Sequence, residues 1–343
     1  MSGGVDSSVS AALLVEQGYD VHGVSLRMWE GERGPRVCSD HRGAEEVAAH
    51  LKIPHTLLDL REQFAETVVK PFAQDYLHGR TPNPCVACNR DFKFGTLLRW
   101  AKEHDAEFVA TGHYANVIHD RNGQRAALLR GADRSKDQSY FLFALSQQQL
   151  AHTMFPLGAM HKIAVREKAR ALGLPAAERP ESQDICFGDY KALVAIYAKE
   201  SELQGGEVVD RAGKVLGQHG GVHTVTVGQR RGLGISAPEP LYVVDIDDES
   251  KRVVVGKKND LSCVGLIARS VNWLEPPEAE IEAEVQIRYR APAVACWIRL
   301  DSNGTCEVRF AEAFPGVSPG QAAVFYRGDQ VLGGGWIERA IRN

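Results

Sequence analysis

The chain has 343 residues, 44% of them hydrophobic and 24% charged, with a formal net charge of −4. This predicts two or three domains with a sizeable core, and the absence of any apolar run near ~18 residues excludes a membrane-spanning helix. No basic-then-apolar leader opens the sequence, so a cytoplasmic protein is expected, and the acidic balance means that any nucleic acid must bind through a local basic patch.

In chain order, Ser2-Gly3-Gly4-Val5-Asp6-Ser7-Ser8 comes first. Two glycines let the backbone turn tightly and approach a ligand. The run Val9 to Gln17 reads as a helix stopped by Gly18. A Gly/Ser loop opening a helix offers N–H donors and the positive end of the helix dipole, which together make an anion site. An ordinary N-cap after a glycine turn is the plainer alternative. No G-x-x-x-x-G-K-[ST] phosphate loop occurs. Strands are predicted at 19–26 and 55–60, and helices at 42–52 and 62–77, the latter interrupted near Pro71. A further helix from about Asn89 to His104 leads to a strand at 107–113. Strands alternating with helices predict an α/β parallel sheet with ligands at the carboxyl ends of the strands.

Between these elements lies Arg80-Thr81-Pro82-Asn83-Pro84-Cys85-Val86-Ala87-Cys88-Asn89. Two prolines stiffen this loop. A helix beginning at Asn89 would place Cys88 at its N-terminus and lower the thiol pKa. The spacing Cys85-x-x-Cys88 suits a redox or metal pair. Cys186, in Glu181-Ser182-Gln183-Asp184-Ile185-Cys186-Phe187-Gly188, reads equally well as a reactive thiol or a buried one. Seven cysteines (38, 85, 88, 186, 263, 296 and 306) are too dispersed for a disulfide scaffold. Cys38 and His41 with Cys85 and Cys88 lie outside zinc-finger spacing. Cys263, Cys296 and Cys306 read as core.

From about Gly205 the texture changes to short strands and Gly/Pro turns. Residues 205–260 read as a small β-rich domain. Glu275-Pro276-Pro277-Glu278 reads as the entrance to a barrel with strands at 281–289, 293–300, 305–310 and 322–326. The boundaries expected are 1–200, 201–262 and 263–343. Gly232-Leu233-Gly234 resembles a dinucleotide fingerprint in form, but Pro238 and Pro240 follow it instead of a helix. Arg230-Arg231, Lys257-Lys258 and a strand-borne Arg288-Tyr289-Arg290 are basic spots; the last could meet a phosphate and stack on a base.

The opening loop resembles the PP-loop of ATP pyrophosphatases. With TPNPCVACN at 81–89, ATGHYA at 110–115, KDQSYFLF at 136–143, ESQDICF at 181–187 and TVGQRRGLGI at 226–235, the chain is similar to the tRNA-specific 2-thiouridylase family from Ser2 to about Gly335. That resemblance implies a PP-loop domain, a small central domain and a C-terminal β-barrel. It implies ATP, Mg²⁺, a tRNA substrate and a persulfide donor, either a cysteine desulfurase or a sulfur relay protein. By motif, Ser2, Gly3, Gly4, Val5, Asp6, Ser7 and Ser8 would hold the ATP phosphates, with Leu26 and Gly112 beside the adenine. Cys186 would carry the persulfide and Cys88 would resolve it, leaving a disulfide. Asn83, Pro84 and Cys85 would face the target base; His113, Lys136, Asp137, Gln138, Arg288, Tyr289 and Gln321 would face tRNA. Many family members have Asp where Cys85 stands, so Cys85 either polarises the base or joins Cys88 and Cys186 around a labile iron–sulfur cluster. The rivals are an amidotransferase-type PP-loop synthetase, which needs neither Cys88 nor Cys186, and an RNA-binding module with a degenerate loop.

In PP-loop folds the loop follows the first strand, and here only Met1 precedes it. A chain extended upstream by a strand's length is therefore expected to bind ATP more tightly; equal dissociation constants in titration calorimetry would refute this.

Overall fold

The computed structural model describes residues 1–29, 40–120, 125–180, 186, 190–277, 280–301 and 304–342. Two compact units result: Met1–Val68 with Cys85–Gly188 and Asp329–Val331, and Val69–Pro84 with Asp189–Gly328 and Leu332–Asn343.

The first unit is the α/β part. Helix α1 (Val5–Glu16) starts directly after the glycine turn and is followed by β1 (Gly23–Arg27), α2 (His41–Leu51) and β2 (His55–Asp59). β1 and β2 pair in parallel, Leu26 opposite Leu58. Met1 lies beside β1, its amino group donating to Val24 O and its carbonyl accepting from Ser25 Oγ at 2.7 Å. The short strands β3 (Val109–Ala110) and β6 (Thr153–Met154) form a second parallel pair. β4 (Ala115–His119) and β5 (Ala126–Arg130) form an antiparallel hairpin. α7 (Gln147–Ala151) carries a complete capping box from Ser146 and Gln149. α8 (Lys162–Ala171) packs on α1, joining Val165 and Ala169 to Val5, Val9 and Ala12.

The helix expected at 62–77 is present as α3 (Arg61–Phe64), a π-helical turn Ala65–Val69 and α4 (Lys70–Leu77). The break falls just before Pro71, whose ring cannot fit an uninterrupted α-helix interior. The helix expected from Asn89 begins earlier. It runs as α5 (Pro84–Ala87), a nine-residue π-helical stretch Cys88–Thr96 and α6 (Leu97–Glu103). Proline suits the first helical position because its missing N–H is not needed there. Pro84 therefore opens the helix instead of holding a loop, and Cys88 lies inside it.

The second unit holds the β-rich part. α9 (Tyr190–Tyr197) packs on α4, with Tyr190 stacked on Tyr76 at 4.6 Å between ring centroids. β7 (Gly206–Asp210), β8 (Val215–His219), β9 (Tyr242–Asp247) and β10 (Arg252–Gly256) form a four-stranded sheet in the order β8-β7-β10-β9. Val208, Val243, Val253 and Val255 fill one side of it. Six further strands close a barrel: β11 (Ser262–Trp273), β12 (Ile281–Gln286), β13 (Val294–Leu300), β14 (Cys306–Pro315), β15 (Ala322–Arg327) and β16 (Gln330–Ile341). Their order is β11-β14-β13-β12-β15-β16, with β11 pairing back to β16. Closure leaves no barrel edge unpaired. Leu266, Ile298, Val308 and Phe325 are fully buried in it, with Cys263, Cys296 and Cys306 among them, as expected for these thiols.

Two sequence readings are corrected here. The barrel begins at Ser262, before the Glu-Pro-Pro-Glu stretch, because β11 supplies the strand that closes it. Arg288-Tyr289-Arg290 forms a turn after β12, not a strand; Arg290 takes a left-handed φ of 67° and lies over the Tyr289 ring at 5.5 Å. Cys38, residues 181–185 and residues 187–189 lie outside the described residues, and with them the Cys38 pair and most of ESQDICF.

Candidate active site

The loop at 2–8 is built to leave helix donors open. Gly3 takes a left-handed φ of 74°. A Cβ there would stand 2.5 Å from Asp40 O, so the position requires glycine. Gly4 caps α1 without any side-chain bond to the first turn. The serines instead tie the loop to itself: Ser7 Oγ and Ser8 Oγ donate to Gly4 O at 3.1 and 2.9 Å, and the Ser2 amide donates to Ser7 Oγ at 3.1 Å. The first-turn N–H groups of α1 thus face outward with the helix dipole behind them, an anion site.

Three residues missed in the sequence brace this loop. Lys162 Nζ donates to both carboxylate oxygens of Asp6, each at 2.7 Å, and the Tyr114 hydroxyl donates to Asp6 Oδ1 at 2.8 Å. Arg179 donates to Gly3 O at 2.9 Å and pairs with Asp40 at 2.6 Å and Glu46 at 3.1 Å. Lys162 is buried at the first position of α8, and a lysine at that position carries no spacing signal; only the fold brings it 156 residues back to Asp6. Gly112 approaches from the other side. A Cβ on it would stand 2.7 Å from Asp6 C and 2.8 Å from the Ser7 amide nitrogen. Leu26 is buried near the carboxyl end of β1.

The following segment organises itself around Asp137. Its buried carboxylate accepts from the Gly131 and Ser139 amides at 2.9 and 3.1 Å, from Ser139 Oγ at 3.0 Å and from Arg130 at 3.1 Å. Asp137 therefore shapes the loop that carries its half-buried neighbours Lys136 and Gln138. Gln138 exchanges bonds with the Tyr114 backbone, its amide donating at 2.8 Å and its Oε1 accepting at 3.1 Å. That exchange orients Gly112 and His113. The His113 ring bonds Thr111 Oγ1 through Nδ1 at 2.8 Å and stands between Phe94 and Phe155. Burial, then the charge of Lys93, hold its pKa well below the usual range, so it is neutral at pH 7.

The cysteines differ from expectation. Cys88 is buried, its Sγ 3.8 Å from Met28 Sδ. Burial pushes its thiol up to about 11, against the opposing charge of Lys93. The expected lowering by a helix N-terminus is absent because the helix starts a turn earlier, at Pro84. Burial likewise raises the thiol of Cys85. Cys186 lies in a turn and is disulfide-bonded. Cys85, Cys88, Cys263, Cys296 and Cys306 are in no disulfide; the Cys88–Cys186 bridge implied by resemblance would form only when Cys88 resolves the persulfide. Among the described residues, no group of three His, Cys, Asp or Glu side chains is set to hold a metal ion, Cys85, Cys88 and Cys186 included.

In the second unit, Gln321 donates through Nε2 to Thr81 O at 2.7 Å, and the Thr81 amide donates to Pro319 O at 2.8 Å. The barrel's 318–321 turn thereby holds the start of the segment leading to Asn83 and Pro84. Arg288 lies against Gly316, where a Cβ would meet its guanidinium at 2.6 Å. Tyr289 follows in the same turn.

Comparison with known proteins adds a consistent picture. Three family models match in succession: tRNA methyl transferase HUP domain over residues 1–189, tRNA methyl transferase PRC-barrel domain over 194–257 and aminomethyltransferase β-barrel domain over 264–337. The chain is 49% identical over 354 residues to a protein of Geotalea uraniireducens, covering 99% of this chain and 94% of the relative. It is 50% identical over 343 residues to one of Syntrophotalea carbinolica (98% and 97% covered) and 48% over 356 residues to one of Geobacter metallireducens (99% and 96%). All three relatives are named tRNA-specific 2-thiouridylase MnmA.

Gly112→Ala is expected to displace the Asp6–Ser7 backbone and weaken ATP binding by at least ~10-fold, with an unchanged far-UV spectrum; calorimetric titration measures it. Lys162→Met, which leaves Asp6 without its cation, is expected to abolish saturable ATP binding over the same concentration range while the protein stays folded.

Proposed function

The chain belongs to the tRNA-specific 2-thiouridylase family, and on that footing we propose that it is a tRNA-uridine 2-sulfurtransferase acting on the wobble uridine. The observation that carries the reading is the uncapped α1 N-terminus, framed by Gly3, Gly112 and the Lys162–Asp6 pair. A backbone with open N–H groups beside a positive dipole suits a polyphosphate better than any neutral ligand.

In this reading the loop residues Ser2 to Ser8 cradle the β- and γ-phosphates of ATP, and Leu26 and Gly112 border the adenine. Asp6 is the loop's carboxylate, and one carboxylate with phosphate oxygens is a sufficient ligand set for Mg²⁺. Held there, Mg²⁺ would neutralise charge on the phosphates. Lys162, bonded to Asp6 at the rim of the loop, would contribute positive charge toward the phosphates. The uridine O2 attacks the α-phosphorus, which turns a poor leaving group into AMP. Cys186 carries sulfur as a persulfide obtained from a cysteine desulfurase or a sulfur relay protein. Cys88 attacks that persulfide, and the liberated sulfide displaces AMP at C2. A persulfide forms on Cys186 only as the free thiol, so the assay contains a thiol reductant.

Asn83, Pro84 and Cys85 lead into the helix that carries Cys88 and are assigned to the target base. Cys85, half-buried with a raised pKa, would donate a proton to the base and not accept one. His113, neutral, is assigned to hydrogen bonding with the nucleotide and not to charge neutralisation. Lys136 and Gln138 on the Asp137 loop, together with Arg288, Tyr289 and Gln321 in the barrel unit, are assigned to tRNA.

Purified protein with unmodified tRNA, ATP, Mg²⁺, reductant and a persulfide source is expected to yield 2-thiouridine at the wobble position by nucleoside analysis. Cys88→Ser and Cys186→Ser are each expected to lose at least ~100-fold in thiolation while retaining tRNA-dependent pyrophosphate release. Normal thiolation in either variant would favour an amidotransferase-type synthetase, and absence of pyrophosphate release from the folded wild type would favour an RNA-binding module.

A further inference from the structure

The helix that carries Cys88 departs from α geometry where the chemistry needs it. In an α-helix five residues turn through about 500°, leaving residue i+5 about 140° around the axis from residue i. The stretch Cys88–Thr96 is π-helical, and rings closed from i to i+5 bring residue 93 over residue 88. Helical side chains lean toward the N-terminus of their helix. The π-helical turn therefore brings Lys93 nearer to the Cys88 side of the helix than an α-helix would, and its charge acts on Cys88. Phe92 and Phe94 on either side are buried and hold the segment in place, while Lys93 stays half-buried.

Lys93 is also a cation that no described residue pairs with. Its acidic neighbour Asp91 is taken by Arg90, which bonds both carboxylate oxygens at 2.7 and 2.8 Å. The field of Lys93 reaches Cys85, Cys88, His113 and the Met1 amino group, and lowers the pKa of each. The groups acting on Cys88 are Lys93, Cys85 and Asp91, with Met28 Sδ in contact. Of these only Lys93 favours the anion. A half-buried ammonium in such a position is completed by a negative charge placed next to it.

We propose that Lys93 is the electrostatic positioning residue that makes Cys88 a competent nucleophile, and that the π-helical turn exists to bring it there. This rests on the sulfur-transfer reading above. Cys88 loses its proton to solvent, and its thiolate attacks the inner sulfur of the Cys186 persulfide. The Cys88 Sγ–Cys186 Sγ bond forms and the persulfide S–S bond breaks. The outer sulfur leaves with the electron pair as HS⁻, so Cys88 is oxidised as the sulfane sulfur is reduced. Lys93 stabilises the charge at its starting point on Cys88.

The test is the rate of Cys88 alkylation by iodoacetamide in the reduced full-length protein, mapped by peptide mass spectrometry from pH 6.5 to 10.5. Lys93→Met is expected to slow Cys88 alkylation at pH 8 by about fivefold and to move its pH profile upward by more than half a unit. Lys93→Arg should stay within about twofold of wild type, and Cys263 should react alike in all three. A Cys88 profile unchanged in Lys93→Met overturns the proposal, as does an equal upward shift in Lys93→Arg. Should Lys93→Met fail to fold by near-UV dichroism, Lys93→Gln carries the same comparison. The measurement uses no tRNA, ATP or sulfur donor, so its failure and the failure of the thiolation reading are distinguishable.

Discussion

The open N-terminus of α1 is the constraint on which the rest of the structure depends. A helix end without side-chain caps leaves donors unsatisfied and concentrates about half a positive charge. It can persist only if the surrounding backbone approaches closely without covering it. Gly3 and Gly112 make that approach possible, and both leave no room for a Cβ. Arg179 and Tyr114 then fix the loop from its outer sides, and Lys162 pairs with the Asp6 carboxylate.

A second constraint concerns sulfur. A thiol that must not react prematurely benefits from burial, which keeps it protonated. Cys88 is in that state, pressed against Met28 with its pKa near 11. Burial alone keeps it protonated, and the charge of Lys93 acts against that. A regular α-helix cannot place residue 93 on the face of residue 88, whereas a π-helical turn can. The π-helical turn at 65–69 precedes Pro71, whose ring cannot fit an uninterrupted α-helix, and the longer one at 88–96 begins at Cys88.

The β-rich unit contributes order to the segment that precedes these cysteines. Barrel closure between β11 and β16 gives the 318–321 turn a rigid base, and Gln321 and Pro319 use it to hold Thr81. Thr81 and the turn around Gln321, far apart in sequence, are in this way held together.

Much of this was legible in the sequence, because the relevant features are local. Glycine pairs, helix stops, the proline at 71 and the alternating runs of the barrel each act within a few residues, and the order of six motifs carried the family. The errors were local rules overridden by neighbours. Pro84 opens a helix that appears from composition to begin at Asn89. Arg288–Arg290 turns where its residue types suit a strand, and β11 was missed because a strand that closes a barrel is recognised by its partner and not by its own pattern. What only the tertiary structure decided is charge placement: Lys162 on Asp6, and Arg179 on Gly3 and Asp40. Coulomb interactions depend on distance through space and on burial, and neither quantity is written in the spacing of residues along the chain.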